Sequence, residues 1–181
     1  MIEDFLSVVE AKRFLGREFL TWLVYRAEES GGTFELGGQP VEIHLGDQIV
    51  LAGGHDGKAR LTVVGTGDVR AEMGAGLRSG KLVDRARLHV RRGERRWELT
   101  LDGGLLDYAS VRCPTLGDQD AGLRDDPRAA FENDLFLRMA DVEDVVEVLD
   151  ALFAEFCRLR ATEDWRQHAL PELRGWVEGL A

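Results

Sequence analysis

The fold turns on "RARLHVRRGERRWELTL", Arg85 to Leu101, which holds six arginines in a chain of formal net charge −10. A turn at Gly93-Glu94 closes the stretch into a hairpin. Pairing outward sets Val90 opposite Trp97, Leu88 opposite Leu99 and Ala86 opposite Leu101. The other face then joins Arg91 with Arg96, His89 with Glu98, Arg87 with Thr100 and Arg85 with Asp102. Because side chains alternate with period two, a slip of one residue would oppose apolar to polar at every step, so this register is well specified.

The neighbouring sequence extends the hairpin into a sheet. Short alternating runs, "TFEL", "VEIHL", "QIVLA" and "ARLTVV", are bounded by Gly or Asp and read as separate strands, and "ASVRC" reads as another. Phe5, Val8, Val9, Leu15, Phe19, Trp22 and Leu23 recur at helical steps over residues 3–29, with Gly31-Gly32 as the stop. "DVRAEMGAGLRSGK" reads as a short helix capped by Asp68, with Glu72 completing the start signature. Asp126-Pro127 opens a longer helix in which Leu135, Met139, Val142, Val146, Leu149, Phe153 and Phe156 step by four and three. Its apolar face is expected to pack on the sheet, with a heptad seam for self-association as the alternative. The expected class is α+β: a mostly antiparallel sheet, an N-terminal helix packed on it and a long amphipathic C-terminal helix. One domain covers residues 1–160, and 161–181 form a helical appendage of two short turns around Pro171, docked by Trp165 and Trp176.

Composition sets outer limits. The chain has 181 residues, 44% of them hydrophobic, enough for a real core. Two cysteines, Cys113 and Cys157, lack CxxC spacing and read as small interior hydrophobes of a reducing compartment. The acidic start "MIEDFLSVVEAKRF" lacks a signal-peptide pattern, and no apolar run reaches a membrane span, so no membrane association and a cytoplasmic location are expected.

No catalytic constellation appears: GxSxG, HExxH and GxxxxGK[ST] are all missing, and "GAGLRSGK" lacks phosphate-loop spacing. His44, His55, His89 and His168 have no metal-ligand spacing, and Asp118, Asp120, Asp125 and Asp126 read as a solvated loop with a helix cap. The expectation is therefore no enzyme activity, no metal, no cofactor and no small-molecule substrate. His89 opposite Glu98 reads as a cross-strand ion pair.

The positive signal is charge placement. Between Arg78 and Trp97 eight basic side chains stand against Asp84 and Glu94, a local excess of +6. Arg85, Arg87 and Arg91 share one strand face and Arg96 joins them from the partner strand. Alternate strand residues lie about 6.6–6.8 Å apart, near the separation of phosphates along one duplex strand. Arginine gives forked bonds to phosphate, so Lys81, Arg85, Arg87, Arg91, Arg92, Arg95 and Arg96 are the candidate DNA contacts, without base reading. The alternative is that Glu35, Glu42, Glu98, Asp102 or other surface acids pair with the ladder.

Four segments extend this reading: the helix ending in Gly80-Lys81, the "KLVDRARLHV" strand, the "RWELTLDGGLLDYASVRC" strands and the closing helix around "ENDLFLRMADVEDVVEVLDALF". With "FLTWLVYRAEESGGTFEL" upstream, they resemble the C-terminal part of the recombination-associated protein RdgC family over roughly residues 13 to 156. The resemblance implies a nucleoid-associated homodimer that binds duplex DNA with little sequence preference, modulates recombination and is not an established enzyme. Lys81 matches the lysine of the family's Gly-Lys step, thought to contact DNA; the arginines are this sequence's own signal. The family's N-terminal region has no counterpart here. The expected function is thus sequence-independent binding of duplex DNA, and the alternative is a protein-interaction or oligomerisation module that kept the fold without DNA binding.

Overall fold

The computed structural model describes residues 5–53, 59–65, 69–114 and 127–180. Helix α1 (Phe5–Glu29) leads into β1 (Thr33–Leu36), β2 (Gln39–Gly53) and β3 (Arg60–Val64). Helix α2 (Val69–Arg78), the hairpin β4 (Lys81–Arg92) and β5 (Arg95–Asp102), and β6 (Asp107–Arg112) follow. Helix α3 (Pro127–Arg160) closes the main body, and a π-helical turn (Trp165–Ala169) runs directly into α4 (Leu170–Gly179). The class is α+β, as expected. All six strands form one antiparallel sheet in the order β1-β2-β4-β5-β6, with β3 also on β2. The loop acids Asp118, Asp120, Asp125 and Asp126, the Asp68 cap and His55 lie outside the described residues.

The hairpin forms in the register read from its sequence, pair by pair from Arg85 with Asp102 to Arg92 with Arg95. Ala86, Leu88, Val90, Trp97, Leu99 and Leu101 are buried under the helices. Phe19, Trp22, Phe153, Phe156 and Trp165 form an aromatic cluster joining α1, α3 and the π turn, with ring centroids 5.2–6.4 Å apart. Trp165, Trp176 and Leu180 are buried in the same core, so the tail docks through both tryptophans as expected.

Two expectations are corrected. "VEIHL" and "QIVLA" are halves of one strand, β2, because both pair with the continuous β4. The Gly46-Asp47 between them is a bulge and not a turn: Leu45 faces Leu88 and Ile49 faces Ala86, so three residues of β2 oppose the single Arg87. A Cβ at position 46 would lie 2.9 Å from Arg87 Cγ, so glycine lets the arginine stem pass. The second correction concerns α3. Val145, Val148, Leu149, Leu152 and Phe156 pack on the core, but the apolar stripe of its first half does not. Phe131 is 67% exposed, Leu135 46%, Phe136 67% and Met139 51%.

A second bulge sits in β4. Val50 pairs with Arg85 but Leu51 pairs with Val83, leaving Asp84 as the extra residue. The Val83 N–H is met by Thr21 Oγ of α1 at 2.9 Å, and the Thr21 hydroxyl donates to the Arg17 carbonyl at 2.8 Å. The buried Asp84 carboxylate accepts from Arg17 Nε at 2.6 Å and from Arg60 at 2.8 Å. Helix α1 therefore grips the sheet at the point where β4 changes phase.

Candidate nucleic-acid interface

The alternation of β4 decides which basic side chains can act together. Val83 and Ala86 are both buried, so side chains before Asp84 point oppositely in sequence parity to those after it. Lys81 shares the phase of Val83 and turns to the helix side, where Nζ donates to Ser79 Oγ at 2.8 Å. It does not join the arginine face. Arg92 and Arg95, beyond Val90 and Trp97 on the core side of the hairpin, also leave that face. Arg92 Nε donates to Gln39 Oε1 at 3.0 Å, while Arg95 bridges to Asp144 and approaches Asp141 at 3.7 Å on α3. These two arginines tie the hairpin tip to β2 and to α3. Of the seven candidates, only Arg85, Arg87, Arg91 and Arg96 come together on the outer surface.

On that surface the rows across the sheet mix the two signs. Glu42, Arg91 and Arg96 form one row; His44, His89, Glu98 and Arg112 form the next; Arg85 and Asp102 form a third. Arg91 bonds to Glu42 in the neighbouring strand. Arg87 reaches Glu98 at 2.7 Å and Asp47 of the β2 bulge at 3.2 Å. Arg85 meets Asp102 at 2.7 Å, and Arg112 meets Glu98 at 3.3 Å. Among the described residues, Arg96 makes no ion pair. His89 lies opposite Glu98 in register, but Arg87 and Arg112 take that carboxylate, and His44 lies 3.8 Å from Glu42.

These pairings shift the groups involved. The hydrogen bond from Arg91 holds the Glu42 carboxyl below its usual range, and the reciprocal bond raises Arg91. Asp47, then Glu98, raise Arg87; Asp102 raises Arg85. Burial opposes ionisation of Asp102, but bonds from Arg85 and from the Leu105 and Gly104 N–H groups outweigh it and hold the carboxyl low. Solvent screens these exposed pairs, so the arrangement matters less for stability than for the charge the face presents. Five arginines and four acids are interleaved on this face, a formal excess of one positive charge.

Glu42, Glu98 and Asp102 are the partners named from sequence. Asp47 and Asp144 were missed: the first sat in what looked like a turn, and the second on a helix whose approach to the hairpin tip no local pattern reveals. Cys113 and Cys157 are half-buried and unpaired. Among the described residues, no group of three metal-ligating side chains comes together, and no helix is long and apolar enough to cross a membrane.

No protein-family model matches the chain, and neither a curated protein nor a solved structure matches it. The likeness to the RdgC family rests on the quoted segments alone.

Proposed function

We propose that this chain is a protein-interaction module whose contact surface is the first half of α3. The observation that carries the reading is the exposure of Phe131, Leu135, Phe136 and Met139 on a helix whose second half is core. Large contiguous apolar surface on a folded domain marks a contact site, whereas scattered single residues do not. The internal neutralisation of Arg85, Arg87 and Arg91 supports the same reading, because it removes the charge excess that would favour nucleic acid.

The test is a comparison of stability. At about 0.1 µM chain, where self-association adds no stability, Leu135→Glu with Met139→Glu is expected to change the unfolding free energy by no more than about 0.5 kcal/mol, the usual range for surface positions. A loss of several kcal/mol would mean that the stripe belongs to the core, and the reading would fall.

Sequence-independent binding of duplex DNA is the second reading. Arg96 favours it: it lies directly opposite Arg91 with no ion pair among the described residues. Like charges opposed in a sheet are unfavourable, and a phosphate between them would relieve the repulsion. This reading assigns the contact to Arg87, Arg91 and Arg96, not to Lys81, Arg92 or Arg95.

A further inference from the structure

We propose that the exposed first half of α3 pairs antiparallel with the same segment of a second copy of this chain. The inference rests on the interaction reading and names its partner.

The stripe is continuous along one helix. Leu135, Met139 and Val142 lie in the same four-and-three progression as the buried Leu149 and Phe156. The apolar ridge that is buried in the second half of α3 thus continues onto exposed surface in the first. From Phe131 to Val142 the exposed stripe covers about 18 Å, or some three helical turns, at 1.5 Å per residue. That length suits a short knobs-into-holes contact.

Charge and shape select the partner and its direction. Asp134 and Arg138 flank the stripe and bridge one another at 2.9 Å. A two-fold axis crossing the helix between Leu135 and Arg138 sets Phe131 opposite Val142 and Leu135 near Met139. It also brings Asp134 of each copy opposite Arg138 of the other, so the edge is complementary to itself, as an isologous contact requires. Parallel pairing would set both bodies at one end of the pair, since the second half of each α3 is embedded in its own core, and would not bring Asp134 opposite Arg138. Antiparallel pairing places them at opposite ends.

Sedimentation velocity from about 1 to about 200 µM, bracketing micromolar dissociation constants, should show monomers converting to dimers. Leu135→Glu with Met139→Glu should leave monomers throughout. Asp134→Arg alone and Arg138→Asp alone should each weaken the dimer about tenfold or more, as like charges come to face each other. Mixing those two variants should restore it. In a chain with Cys113→Ser and Cys157→Ser, Phe131→Cys should cross-link to Val142→Cys in a mixed sample and not to itself. A monomer at every concentration, a dimer indifferent to the α3 substitutions, or self-cross-linking at position 131 would overturn the pairing. A monomeric chain leaves the interaction reading intact, since that reading stands on the stability comparison described above.

Discussion

Thr21 Oγ lies 2.9 Å from the backbone nitrogen of Val83, joining α1 to the strand position just before the Asp84 bulge. Both groups are buried, so no water can substitute for the lost acceptor. Thr21→Val should cost about 1–3 kcal/mol, the penalty for leaving a buried donor unmade, whereas Thr21→Ser should recover most of it. Urea unfolding of the two variants separates the hydroxyl from the methyl. Equal losses in both would show that packing, and not the hydrogen bond, matters at this position.

The second contact of α1 with the sheet is a close approach of backbones. A Cβ at Gly16 would stand 2.1 Å from the Gly103 carbonyl oxygen, in the turn between β5 and β6. The nearest atom is backbone, and Leu106 Cδ2 and Cγ crowd the same point at 3.0 Å, so Gly16→Ala must push helix and turn apart. A loss of about 1–3 kcal/mol is expected, despite alanine's better helix propensity. Thermal melting that shows equal or higher stability would contradict the placement of α1.

Asp102 gives the acid limb a defined direction. Its carboxyl is held low in the folded chain, chiefly by Arg85 and two backbone N–H groups acting against its burial. A depressed folded value means that the contribution is present above the ordinary carboxylate value of about 4 and is lost as pH falls through the folded value. Stability should therefore drop as pH falls from about 4 through the folded value. Arg85→Gln should flatten that drop. Denaturant midpoints measured across the window would refute the assignment if both proteins showed the same slope.

The sequence made the hairpin legible because every pair from Ala86–Leu101 to Val90–Trp97 agrees on one register. The same alternation misled at both ends of β4. One inserted residue, Asp84, reverses the facing of Lys81, and an insertion carries no local signature when its backbone needs are met by a distant helix through Thr21 and Arg17. Arg92 and Arg95 adjoin the ladder in sequence, but strand alternation sets them on the side of Val90 and Trp97. The uniform periodicity of the α3 stripe fits packing on the sheet along its whole length as well as a self-association seam, and does not separate the two. Where a domain ends along a helix depends on the other elements present, and nothing in the helix itself marks it.

The arginine face is the central point, and duplex DNA tests it directly. Fluorescence anisotropy of a labelled duplex of about 20 base pairs, at about 50 and about 150 mM salt, should separate a free basic surface from a neutralised one. No saturable binding by the natural chain is expected at either salt. Salt-sensitive binding is expected of Glu42→Gln with Glu98→Gln, which releases Arg87, Arg91 and Arg112 from those acids. Saturable binding by the natural chain that is lost in Arg87→Glu with Arg91→Glu would contradict it and establish the DNA reading in its place.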